Sequence, residues 1–184
     1  MRTFAMLVLG MILGVGIIVF GVYFYFSTGQ APVATSASPM PFEKRLAHGA
    51  LDAIISREMP KTAPIQPDEA NLAAGAMVYR EHCAVCHGLP EQTPTAIAAG
   101  MYPHPPKLLE GKGVTDDEPG ESYWKVANGI RLTGMPGFRP RLSETQMWQV
   151  SLLVANADKL SKPVHEALAA PLPTDEAVKS ARTK

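Results

Sequence analysis

Two cysteines and a histidine stand together in mid-chain, at Cys83, Cys86 and His87, and the sequence holds no other cysteine. In a helical turn, side chains at i and i+3 face the same way, so both thiols can reach one edge of a flat ligand. His87, at i+4 from Cys83, then projects its imidazole toward a metal held by that ligand. A disulfide across so short a gap would remove almost no loop entropy. A structural zinc site takes four cysteine or histidine ligands, and without a second cysteine pair His82 and His104 would have to complete the set. A thioredoxin-like dithiol requires a surrounding βαβ pattern, which is absent. A buried structural pair leaves the adjoining histidine unexplained. The spacing C-x-x-C-H is that of haem attachment through two thioethers, with the histidine as proximal iron ligand. One covalently attached haem c is the expected cofactor.

The sixth iron ligand has to come from elsewhere in the chain. Met77, Met101, Met135 and Met147 are the candidates, with His82, His104 or water as alternatives. Met77 and Met147 lie in helical patterns, where thioethers serve as flexible apolar filling. Met101 precedes Tyr102 and Pro103, close in sequence to the proximal side. Met135 stands in Gly134-Met135-Pro136-Gly137-Phe138, an irregular loop whose backbone can lie near a haem face, and is assigned as the ligand. His82 and His104 read as surface histidines; His48 and His165 fall outside the domain. With both axial positions filled, the iron has no open site for a substrate. That points to one-electron transfer rather than oxygen or peroxide chemistry, hence to an electron carrier and not an enzyme.

These residues need a scaffold and an address. The 184 residues allow one domain of ordinary size, about 100–150 residues, plus extensions. The 17 basic and 17 acidic side chains give zero formal charge, so no basic excess is available for a phosphate backbone, and nucleic acid is not an expected partner. Residues 4–26 are almost wholly apolar, and residues 3–42 carry no charge. At about 1.5 Å rise per residue this run crosses a hydrocarbon core of about 30 Å. A signal peptide has an apolar region of about 7–15 residues and a small-x-small site. This run is longer and ends in Tyr23, Phe24, Tyr25 and Phe26, an interfacial aromatic belt. Residues 1–27 are therefore expected to be an uncleaved transmembrane anchor, with lipid around residues 4–26. Arg2 precedes the span and the next basic residue is Lys44, so the N-terminus is expected in the cytoplasm and the rest outside. Gly10 and Gly14 form a GxxxG pair that would admit a second helix.

Residues 28–66 read as a flexible tether carrying a short amphipathic helix at about 41–57. The Ser, Ala, Thr and Pro of residues 27–41 have no apolar period. Phe42, Leu46, Leu51, Ile54 and Ile55 share a helical face, expected to pack on the domain rather than on a membrane or partner. Pro60, Pro64 and Pro67 end that helix and place the domain start at 67. Residues 161–184 read as a mobile tail.

Over residues 67–160 the chain resembles the class I, mitochondrial-cytochrome-like c-type cytochromes, which implies an all-α, class I cytochrome c fold behind an N-terminal transmembrane helix. The resemblance is carried by Gly75, Tyr79 and Cys83 at four-residue spacing, by the C-x-x-C-H motif, by Pro106-Lys107-Leu108, and by the Gly134-Met135-Pro136 loop. It implies that a helix from Ser143 to about Leu160 crosses the first helix at Gly75. It further implies that the Pro106 carbonyl accepts the His87 Nδ1–H, and that Trp124 or Arg131 bonds a haem propionate. For Trp124, simple core packing stands beside that role. Methionine coordination in this family implies a weak far-red band and poor binding of carbon monoxide. The setting expected is the bacterial inner membrane, single-pass, with the haem domain in the periplasm and no small-molecule substrate. There it passes single electrons between redox protein partners of a respiratory chain. The alternatives are a fixed haem subunit of a larger membrane oxidoreductase complex or, further off, a haem sensor or enzyme.

Overall fold

The computed structural model describes residues 1–110 and 117–169, and among these the regular structure is entirely helical. The chain divides into two compact units, Met1–Leu46 and Ala47–Lys184. In the first unit, α1 (Arg2–Ser27) is a single helix of 26 residues with none buried, about 39 Å long at 1.5 Å per residue. Length and composition fit a membrane span, and a signal sequence at the same place passes the same test. No helix or strand forms over residues 28–42.

The second unit begins inside α2 (Glu43–Glu58). The inward turn of its apolar face is confined to its last two turns, where Ile55 is buried and Leu51 and Ile54 are half-buried. Leu46 stays 71% exposed. The segment after α2 belongs to the folded body, although its prolines point to a boundary at 67. The Pro60 carbonyl fills the place a β-carbon on Gly120 would need, and Ala63 and Ile65 pack against the core.

The remaining helices are α3 (Glu69–His82), α4 (Ala84–His87), α5 (Ala96–Gly100), α6 (Pro119–Asn128), α7 (Glu144–Ala155) and α8 (Lys162–Ala169). Asp68 caps α3 by accepting the Asn71 amide at 2.8 Å, and Ser143 opens α7 with a reciprocal capping box to Gln146. Both satisfy first-turn amides that have no partner within the helix. The two helices cross at Gly75, whose absent side chain lets the backbones touch. A β-carbon there would lie 2.7 Å from the Gln149 carbonyl carbon and 3.1 Å from Leu153 Cβ. Around the crossing Ala76, Tyr79, Val150 and Leu153 are buried, and Tyr123 of α6 stacks on Trp148 of α7 with centroids 4.2 Å apart.

The core does not end at 160. Helix α8 lies against α3, and Val164 and Leu168 are 1% and 0% exposed. An expected tail beginning at 161 is thus corrected by one further packed helix, whose two apolar side chains, four residues apart, face inward from an otherwise polar stretch. The rest of that expected tail, residues 170–184, lies outside the described residues.

Candidate haem-binding site

Cys83 ends α3, and the chain turns at once into α4, so the three motif residues share one tight turn. The amides of Cys86 and His87 both donate to the Cys83 carbonyl, at 3.1 and 2.9 Å. The buried Tyr79 anchors the turn from below, its hydroxyl donating to the Gly88 carbonyl at 2.8 Å. Gly88 takes φ +77°, a conformation costly for any residue with a β-carbon. The two cysteines do not form a disulfide with each other. Burial, and then the neighbouring Cys86, push the Cys83 thiol up to about 12.

His87 Nδ1 lies 2.8 Å from the Pro106 carbonyl oxygen. A carbonyl can only accept, so Nδ1 carries the proton and Nε2 keeps its lone pair for a metal. Burial lowers the His87 pKa, and the bond to Pro106 only partly offsets this; the neutral ring is the form a metal needs. A cavity of about 300 Å³ opens beside it, lined by Cys86, His87, Ala98, His104 and Lys107 among others. His104, read from the sequence as a surface residue, borders this cavity.

The segment that carries Pro106 is fastened to the same side. Glu110 accepts the Glu91 amide at 2.7 Å and Lys107 Nζ at 2.8 Å, and these two bonds, Lys107 first, hold its carboxyl below the usual range. Thr95 Oγ1 donates to the Val85 carbonyl at 2.6 Å.

Met135 sits, half-buried, in a loop folded back on the end of α6. Its carbonyl accepts the Ile130 amide at 3.2 Å, and its own amide donates to Thr133 Oγ1 at 3.1 Å. The Phe138 amide closes the loop onto the Val126 carbonyl at 2.9 Å. Gly129 makes the fold-back feasible: it has φ +70°, and a β-carbon there would lie 2.5 Å from the Gly137 nitrogen. Met147 is buried at 2% exposure, as a filler should be, whereas Met77 is 58% exposed and fills nothing. Trp124 Nε1–H donates to Glu58 Oε2 at 3.2 Å, and Arg131 is exposed. Thr133, Glu110 and the Tyr79 hydroxyl support the site without announcing it in the sequence, because their bonds are to backbone groups and neighbouring side chains placed by the fold.

The donor set fits a covalently held haem. Two thiols share one turn and the adjacent imidazole has its Nδ1 committed and Nε2 available; Met135 stands in a loop closed on itself and does not line the cavity beside His87. Residues 70–152 match the family model described as cytochrome c oxidase, cbb3-type, subunit III. No curated protein matches the chain. A chain of the Kuenenia stuttgartiensis reducing HAO-like protein complex is similar at 22% identity and a TM-score of 0.47, over 66% of this chain and 52% of that one. This chain thus spans about half the length of that neighbour. The matched stretch, residues 70–152, contains both thiols, His87, Pro106 and Met135, and is similar to a class I-like c-type cytochrome domain.

Proposed function

We propose that the chain is a membrane-anchored monohaem cytochrome c that passes single electrons between redox protein partners at a bacterial inner membrane, with α1 as the anchor and the haem domain in the periplasm. The observation that carries the haem reading is the His87–Pro106 bond, which commits one ring nitrogen and leaves the other for iron, in the same turn as two cysteines. Bound haem supplies a one-electron iron couple. Cys83 and Cys86 hold its edge covalently, His87 gives the proximal nitrogen, and the Pro106 carbonyl keeps that ring oriented and electron-rich. Met135 gives the thioether, which favours the reduced state relative to a second imidazole. Residues 28–42, without helix or strand, give the domain reach as a tether.

Two measurements test this. Replacing both Cys83 and Cys86 by Ser is expected to abolish haem staining on a denaturing gel; undiminished staining sinks the cofactor assignment. Met135→Ala is expected to keep its covalent haem and to bind carbon monoxide readily when reduced, unlike the wild type. Wild-type protein that binds carbon monoxide as readily as the variant replaces the carrier reading with that of a sensor or enzyme.

A second reading, a fixed haem subunit of a larger membrane oxidoreductase, draws support from the matched family's description as an oxidase subunit. Purification of the intact membrane form with its bound subunits separates the two: a shuttle leaves the membrane alone, a subunit leaves it in company.

A further inference from the structure

After α5 the chain runs as a strap over residues 101–110 with no helix or strand, and this strap touches both elements assigned to the iron. Pro106 meets His87 Nδ1 at 2.8 Å. Met101 meets the loop that carries Met135: its terminal methyl fills the place a β-carbon on Gly134 would take, with its sulfur 3.4 Å from that place. The bonds from Ile130 and Thr133 set the shape of the methionine loop, and those to α6 set where it is rooted. Met101 is the side chain that braces it against the strap. Glu110, held by Glu91 and Lys107, fixes the strap in turn.

We propose that Met101 is a positioning residue for Met135, wedged between the strap and Gly134, the residue before it, so that the Met135 thioether is kept at the iron. The proposal rests on the assignment of Met135 as sixth ligand and adds to it the part that holds that ligand in place. An unbranched thioether suits the task because it fills an irregular gap. Close packing passes a shift of the strap on to the loop rather than absorbing it. Truncating Met101 opens space beside Gly134, and the loop relaxes into it. An outside ligand binds only molecules whose methionine is off the iron, so its apparent affinity rises in proportion to that fraction.

The test compares full-length, haem-loaded wild type with Met101→Ala, Met101→Val, Met101→Leu and Met135→Ala. The readouts are the far-red band of the ferric form, the carbon monoxide affinity of the ferrous form and the covalent haem content. Met101→Ala is expected to keep its haem, weaken the band and bind carbon monoxide about tenfold more tightly than wild type. Met101→Val, a milder truncation, shifts both in the same direction and decides the matter if the alanine protein does not accumulate. Met101→Leu, close in volume, restores both. Truncated variants that match wild type in band and affinity overturn the proposal while leaving Met135 as ligand. A band that survives Met135→Ala but disappears in Met101→Ala overturns it too, by making Met101 the ligand. Met135→Ala indistinguishable from wild type shows instead that the sixth-ligand assignment itself has failed.

Discussion

Two single residues, Gly75 at the helix crossing and Met135 in its loop, show how much depends on one group each. At Gly75 a β-carbon would drive into the Gln149 backbone, and backbone cannot step aside as a side chain can. Gly75→Ala is expected to destabilise the domain by about 1–3 kcal/mol through overpacking, read from the denaturation midpoint of the haem-loaded protein. Met135→His is expected to keep the iron six-coordinate at a lower midpoint potential than wild type, measured by redox titration, provided the loop accommodates the ring. Cys83, Cys86 and His87 stand out from spacing because positions i, i+3 and i+4 of one helical turn bring their side chains together, and the chain does form that turn there. Pro106 was legible only through resemblance: nothing in a Pro-x-Leu tripeptide tells which side chain its carbonyl will meet 19 residues away. Trp124 was less legible still. Its indole goes to Glu58, on a helix outside the stretch where the resemblance was recognised.

Among the elements, α3 and α7 are expected from the resemblance, and α7 starts where expected, with Ser143 and Gln146 as its capping box, but ends at Ala155 rather than near Leu160. Ser143→Ala is expected to cost about 1 kcal/mol by removing that cap, measured as a lowered denaturant midpoint at unchanged slope. Helix α8 escaped sequence reading because its contribution to the core is two side chains, Val164 and Leu168, in an Ala- and Pro-rich stretch. Such a pattern is indistinguishable from a polar tail until its partner face is known. The face exists on α3, and Leu168 is fully buried. Leu168→Ala is therefore expected to cost about 2–5 kcal/mol, where a residue in a free tail would cost nothing. The segment over residues 59–67 was misleading in the opposite sense. Its prolines correctly end α2, but a chain that cannot be helical can still be packed, and Pro60 sits on Gly120.

For the molecule as a whole, the sequence separates an apolar N-terminal helix at 1–27 from a domain starting at 67, whereas the chain divides into Met1–Leu46 and Ala47–Lys184, inside α2. Replacing residues 1–27 with a cleavable export signal is expected to yield a soluble, haem-loaded domain, checked by haem content in the soluble fraction; a truncated protein that remains with membranes would make α2 an anchor in its own right. The packing of α7 and α8 on α3 also sets an order in time. The turn that carries the two cysteines directly follows α3, whereas α7 and α8, which pack on α3, come later in the sequence and are made after it. Until residue 168 has emerged, α3 lacks part of its cover, and the turn that carries Cys83, Cys86 and His87 hangs from a helix not yet packed. The interval between synthesis of the motif and docking of α8 is thus one in which the helix leading into the motif is held on one side fewer than in the finished fold.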